Sequence, residues 1–223
     1  MNNAILIIGE SGSGKSSSIR NLNNEETAII NILDKPLPFK GFKNRYKSTA
    51  SEGKLVNYFS TDNYEKIRGA IEKINNTRSD IKTLIIDDFQ YIMANQFMKK
   101  AMERGYDKFT EIGQNAWQII RDLTMCRDDL KCYVLSHSDM DQNGKYKCKT
   151  IGKMLDDKIC LEGMFTIVLH AITSENKYRF LTQNDGVHVA KSPMGMFDKK
   201  YIDNDLLEIN KKIDEYFNDD INQ

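Results

Sequence analysis

Short runs in which every residue is apolar alternate along this chain with longer stretches whose apolar residues recur every three or four positions. The runs AILII at 4–8, TAIINIL at 27–33, TLII at 83–86 and CYVL at 132–135 lack the alternation of a half-exposed strand. Each predicts a strand covered on both faces, as in a parallel sheet. LVNYFS at 55–60 predicts another short strand, and MFTIVLHAI at 164–172 and YRFLTQ at 178–183 predict two late ones joined by a polar turn. Helical spacing appears over about 15–22, over 63–76 (Tyr64, Ile67, Ile71, Ile74), and over 89–98. It returns over 110–126 (Ile112, Ala116, Ile119, Ile120, Leu123), more briefly at 153–162, and in the tail at 204–218. Asn143-Gly144 marks a hairpin turn. The expectation is an α/β fold with a mostly parallel central sheet flanked by helices and a late β-hairpin. No repeat, low-complexity tract or linker interrupts the pattern, so 1–223 reads as a single domain.

Composition narrows this only a little. Lysine plus arginine and aspartate plus glutamate each total 32, so a nucleic-acid partner would have to be met by local patches rather than by global charge. The four cysteines form no CxxC pair, which argues against a zinc site and for free thiols in a reducing compartment. The N-terminal apolar run is too short for a signal peptide, and no segment has the roughly 18 apolar residues of a membrane span. The expected location is therefore the cytoplasm, without membrane contact.

The candidate chemistry begins where the first strand ends. Gly9-Glu10-Ser11-Gly12-Ser13-Gly14-Lys15-Ser16 fits GxxxxGK[ST], with Ser17 following. Glycines allow positive φ, so that successive N–H groups converge on phosphates, and a helix starting near Gly14 adds its N-terminal field. Lys15 would bridge β- and γ-phosphates, and Ser16 would ligate Mg²⁺. Asp87 ends the TLII strand, at the carboxyl edge where parallel sheets hold ligands, and would be the second Mg²⁺ partner. Asp88 is the leading base to orient an attacking water, unless the pair merely caps the following helix. Asp34, taken as the end of the second strand, is a rival base. His137, ending the CYVL strand with Ser136, is placed to sense the γ-phosphate. His170 reads as a satisfied core or edge histidine and His188 as surface. The expected activity is hydrolysis of ATP with Mg²⁺.

The order of a P-loop strand, an Asp-ended strand, a His-ended strand, a hairpin and two late strands resembles the RecA-like core ATPases encoded by bacteriophages. These are AAA-type nucleotide-binding proteins that include Sak-type single-strand-annealing recombinases. The resemblance is carried by GESGSGKSSSIRNL at 9–22, KPLPFKGF at 35–42, LIIDDFQ at 84–90, VLSHSD at 134–139, IGKMLDDKICLEGMFTIVLHA at 151–171 and VAKSPMGMF at 189–197. It implies a RecA-like P-loop NTPase core working in the cytoplasm of a host bacterium, in recombination or replication. It further implies a homo-oligomer in which Lys191 reaches a neighbour's γ-phosphate. A single-strand-binding protein would be an associated partner. The chain starts directly at its first core strand, which argues against a RecA-style filament.

Three basic stretches are candidate contacts to single-stranded DNA: the hairpin with Lys145, Tyr146, Lys147 and Lys149; the loop with Lys40, Lys43, Arg45 and Lys47; and residues 99–109. The first two interleave aromatics with lysines, as single-strand binders do. Two alternatives stand beside this reading: a nucleotide-dependent switch without DNA, and a small-molecule P-loop kinase, against which the scarcity of late arginines speaks.

Overall fold

A computed structural model describes residues 4–49, 56–151, 159–174 and 176–219. Five parallel strands form the centre and one edge of the sheet: β1 (Ala4–Gly9), β2 (Thr27–Asn31), the edge strand β3 (Tyr58–Ser60), β4 (Thr83–Asp87) and the first half of β5 (Lys131–Met140). β6 (Tyr146–Cys148) pairs antiparallel with the far end of β5. β7 (Ile167–Ser174) runs parallel to β1, and β8 (Lys177–Leu181) and β9 (Tyr201–Asp203) add antiparallel at that edge. The order is β3-β2-β4-β5-β1-β7-β8-β9, with β6 paired to β5 off this line. The α/β expectation therefore holds, with antiparallel strands confined to the late part of the chain.

The strands of the centre are apolar on both faces because both faces are covered. On one face Leu6, Ile8, Ala28, Ile30, Leu84, Ile86 and Val134 pack against α2 (Tyr64–Thr77), α3 (Gln90–Lys99) and α4 (Asp107–Thr124), counting the single turn Phe42–Arg45 as α1. On the other, Ile5, Ile7, Ile29, Ile85, Tyr133 and Leu135 meet Ile19, Leu37, Tyr46 and the C-terminal helix α5 (Leu206–Asp219). Asn210 of α5 fixes that helix on the sheet: it accepts from the Tyr133 hydroxyl at 2.7 Å and donates to Thr83 at 3.0 Å. No helix among the described residues is long and apolar enough to cross a membrane.

Four local expectations need correction. The segment after the Gly/Ser turn is a 3₁₀ helix, Ser16–Asn21, rather than an α-helix. Ser18 donates to the Lys15 carbonyl and Arg20 to that of Ser17, and such short-range side-chain bonds compete with α-helical pairing. β5 does not stop at Ser136 and His137 but runs to Met140, because its end gains a new partner in β6. β2 ends at Asn31, so Asp34 lies three residues beyond it, with φ at 54°. β9 was not expected at all, since three residues at an edge carry no readable period. The expected helix at 153–162 lies mostly outside the described residues, as do 50–55 of the basic loop.

Truncation of Leu84, fully buried in β4, should cost about 2–5 kcal/mol as Leu84→Ala, through lost burial and a residual cavity. Tyr106→Ala, at a side chain 74% exposed, should change stability by no more than about 0.5 kcal/mol. Urea unfolding of both variants measures the difference.

Candidate functional site

Since the central strands are apolar on both faces, their polar side chains gather where the strands end. β5 lies between β1 and β4, in register Gly9↔His137 on one side and Ile86↔Val134 on the other. The ends of β1 and β4 are thus about two strand spacings, roughly 10 Å, apart. His137 stands between the Gly9–Ser16 loop and Asp87-Asp88.

The loop is shaped by its glycines. Gly12 and Gly14 take φ of 80° and 90°, which L side chains rarely adopt. Any Cβ on Gly9 would lie 2.5 Å from the Ala171 carbonyl oxygen, and one on Gly14 would lie 2.7 Å from the Tyr178 ring. The backbone is therefore pressed against β7 and β8, while Glu10, Ser11 and Gly12 stay exposed. Lys15 is buried and donates from Nζ to the carbonyls of Gly9 and Glu10, both at 2.8 Å. Burial brings its pKa down to about 8 against the opposing pull of Asp87 and Asp88. Ser13 Oγ is buried with no hydrogen-bond partner. Because the helix that follows is a short 3₁₀ segment, the anion-attracting field comes from loop N–H groups and Lys15 more than from a helix dipole.

Ser16 Oγ donates to Asp87 Oδ1 at 2.9 Å. Asp87 is buried at the end of β4, and its pKa is pushed up to about 6, by burial first and by the neighbouring Asp88 second. A buried carboxylate and a hydroxyl meeting this closely are hard oxygen donors of the kind Mg²⁺ takes, so the residues fit that ion. Asp88 follows with φ of 64°, a left-handed conformation that turns its carboxylate back across the end of β5. Its Oδ2 meets Lys35 Nζ at 2.6 Å and its Oδ1 lies 3.6 Å from His137 Nε2. Burial works against its ionisation, yet His137 and Lys35 outweigh that and hold the carboxyl below the usual range.

The structure thus brings together the loop, Asp87, Asp88 and His137. It does not bring Asp34 to them. That residue is exposed, its carboxylate bonds to the Tyr58 hydroxyl, and Asn31 occupies the true strand end in register with Asp87. Lys191, whose expected role is toward a neighbouring copy, pairs beside β7. Its backbone makes a two-bond bridge to Val168, level with Leu6 and three residues short of Gly9, and its side chain is exposed.

Two histidines differ from expectation as well. His170 is buried on β7, but its Nδ1 has no partner, and burial lowers its pKa to about 4. His188 is not a plain surface residue. It binds Asp185 Oδ2 through Nδ1 at 2.9 Å and stacks on Tyr146, with ring centroids 4.9 Å apart and planes 3° from parallel. Tyr146 also meets the edge of His170, and its hydroxyl donates to Glu10 Oε1 at 3.3 Å. One face of its ring is therefore covered by His188 and closed to a nucleobase.

The other basic stretches are similarly reassigned. Arg45 donates to the carbonyls of Arg20 and Leu22 at the end of the 3₁₀ helix, and Lys47 to that of Lys43. Phe39, Phe42 and Tyr46 belong to the core on that face, leaving Lys40 and Lys43 as the loop's exposed cations. In the 99–109 stretch Lys99 pairs with Asp62, Lys100 with Glu111, and Lys108 with two carbonyls. On the hairpin Lys145 and Lys149 are exposed and Lys147 half-buried. The Lys149 N–H donates to the His137 carbonyl at 2.8 Å.

Sequence reading missed three residues of this site. Lys35 stood out in the sequence only as the first residue of KPLPFKGF. Gln90, the last residue of LIIDDFQ, accepts at Oε1 from Ser136 Oγ and the His137 N–H while its buried Nε2 lacks a partner. Tyr178 packs on Gly14 from β8, nearly half exposed. The DDFQ context was a usable signal for Gln90; the other two come from distant segments and left none.

A family model described as the AAA domain matches residues 1–194 of the chain. No curated protein matches it.

The raised pKa of Asp87 has a consequence for stability. A carboxyl whose folded pKa lies above its unfolded value of 3.8 opposes folding once it ionises, so the cost is absent well below 3.8 and complete above about 6. Asp87→Asn should therefore stabilise the nucleotide-free protein at pH 7.5 by up to about 3 kcal/mol, falling to roughly half of that at pH 5. Denaturation curves of the two proteins at both pH values measure this.

Proposed function

The chain belongs to the AAA domain family, whose members are P-loop ATPases, and from that premise we propose that it hydrolyses ATP with Mg²⁺ and uses the cycle to change its grip on single-stranded DNA. The observation that carries the reading is the backbone bond from Lys149 to His137. It joins the basic hairpin to the residue that touches Asp88 beside the phosphate loop.

In this reading the N–H groups of residues 10–16 hold the β-phosphate, and Lys15 leaves its carbonyl partners for the β,γ-oxygens. Ser16 and Asp87 hold Mg²⁺, which when bound would neutralise charge growing on the phosphates. Asp88 orients a water whose oxygen adds to the γ-phosphorus while the bond to the β,γ-bridging oxygen breaks. The bridging electron pair leaves with ADP, and the water's proton passes to inorganic phosphate. His137 registers the γ-phosphate through Asp88 and passes the change to β6.

DNA binding would rest on charge rather than stacking, since Tyr146 is already stacked on His188. Lys147 lies on β6, the strand bonded to β5, and Lys145 and Lys149 flank it on either side. The resemblance of several segments to phage recombination ATPases supports this choice of partner, and with it a phage-infected host as the setting. It also supports assembly with further copies, where Lys191 would act on a neighbour's nucleotide.

The test is ATP hydrolysis with and without single-stranded DNA. DNA should stimulate turnover, and Lys15→Ala should reduce it on the order of 100-fold or more. Replacing Lys145, Lys147 and Lys149 together with alanine should remove the stimulation. It should also flatten the salt dependence of DNA binding by about two in log–log slope. Turnover indifferent to DNA would sink the nucleic-acid half of the proposal and leave a nucleotide switch.

A further inference from the structure

Lys35 belongs to a segment whose geometry is fixed from both sides. Asn31, the last residue of β2, donates from Nδ2 to the Lys35 carbonyl at 2.8 Å and accepts from the Leu33 N–H at 3.2 Å. Pro36 follows with its fixed φ, and Leu37 is buried in the core. A loop anchored in this way does not place a lysine by chance rotation alone.

Its ammonium lies on Asp88 Oδ2 at 2.6 Å and 5.9 Å from the Tyr91 ring centroid. Tyr91 in turn stands edge-on to His137 at 6.2 Å. The two partners differ sharply in exposure, with side chains 57% exposed for Lys35 and 7% for Asp88. The lysine therefore reaches in from the mouth of the site, while the carboxylate forms its floor. Its charge is also felt by Lys15 and by Asp87, so it lies within electrostatic reach of the phosphate end of the loop. The site then holds two lysines, Lys15 and Lys35, facing two carboxylates, Asp87 and Asp88. With both oxygens of Asp88 engaged, by Lys35 and by His137, the carboxylate has its acceptor positions toward them occupied.

Building on the ATP-site reading above, we propose that Lys35 is a ligand for the γ-phosphate that Asp88 holds in reserve. In the empty and ADP-bound protein Lys35 stays on Asp88. A γ-phosphate, carrying more negative charge and lying closer to the mouth, draws the ammonium off Oδ2. That exchange does two things together. It adds a second lysine to the transferring group, and it frees Asp88 Oδ2 to accept from the attacking water. The carboxylate proposed as base is thereby inactive until the group to be hydrolysed is present. Lysine suits this task because its compact ammonium sits on a flexible stem and can change partner without backbone movement.

The experiment measures binding of ADP and of a non-hydrolysable ATP analogue, each with Mg²⁺, to the full chain. The proteins compared are wild type, Lys35→Ala, Lys35→Arg, Asp88→Asn and the Lys35→Ala/Asp88→Asn double variant. Lys35→Ala should weaken analogue binding about tenfold and leave ADP binding unchanged, whereas Lys35→Arg should keep most of the discrimination. Asp88→Asn should tighten the analogue severalfold, and that gain should vanish in the double variant. Should Lys35→Ala prove too unstable, Lys35→Gln is read by the same criterion, with a melting curve as control. Equal loss for both nucleotides, no loss for either, or a gain that persists in the double variant would overturn the role of Lys35. Failure of wild type to bind either nucleotide would instead remove the ATP-site reading, and this inference with it.

Discussion

The two-sided burial of β1, β4 and β5 governs everything else in the molecule. An apolar strand between two helical layers has nowhere to put a charged side chain except at its ends, since a charge left unpaired inside would cost several kcal/mol. Gly9, Asp87 and His137 all emerge at the same edge because the strands that carry them are parallel. The insertion of β5 between β1 and β4 then sets the spacing of the chemistry. Without that strand the phosphate loop would abut the carboxylates. With it, a gap one strand wide opens, and His137 occupies its floor.

Charge in that gap is balanced by the protein's own groups, but under tension. Lys15 is bent back onto two carbonyls, and Asp87 is buried with one hydroxyl as its bonded partner. Both pKa values move toward the neutral forms, Lys15 down and Asp87 up, each chiefly through burial. Such a site is more stable with phosphates and a divalent cation than without them, because each ligand supplies the counter-charge that burial withholds from water. Asp88 is the exception. Its pKa moves the other way because Lys35 and His137 already supply what the other groups lack.

The parts of this site that follow one another in sequence were legible, and those assembled from distant segments were not. GESGSGKS could be read because the spacing of glycine, lysine and serine is the chemistry itself, and IIDD because an apolar run ending in acid must end at the sheet edge. Lys35 was invisible as a site residue, since nothing in DKPLPF says that Asn31 will pin its carbonyl and turn it toward Asp88. The internal contacts of Arg45 and Tyr146 were illegible for the same reason. Their types and neighbours suited DNA, but one donates to carbonyls at the end of the 3₁₀ helix and the other has one ring face covered by His188. Asp34 failed by counting, because the apolar run TAIINIL continues past the last residue that pairs in the sheet.

What links the phosphate site to the surface is the continuation of β5 beyond the point where the core stops covering it. The strand is held by β4 as far as Val134 and by β1 as far as His137, and from Ser138 onward it is held by β6. His137 sits at that change of partners: its carbonyl bonds Lys149, its N–H bonds Gln90, and its ring faces Asp88. A shift of Asp88 by even a fraction of an ångström must therefore be absorbed either by the rigid core strands or by the two-stranded end. A short, partly exposed ribbon yields before a close-packed parallel core does. The hairpin is the softer of the two, and Tyr146 gives it a second tie, through Glu10, to the phosphate loop. A hairpin tied at both points follows the loop and the carboxylate together, so any state that moves one relative to the other must tilt the hairpin's lysines.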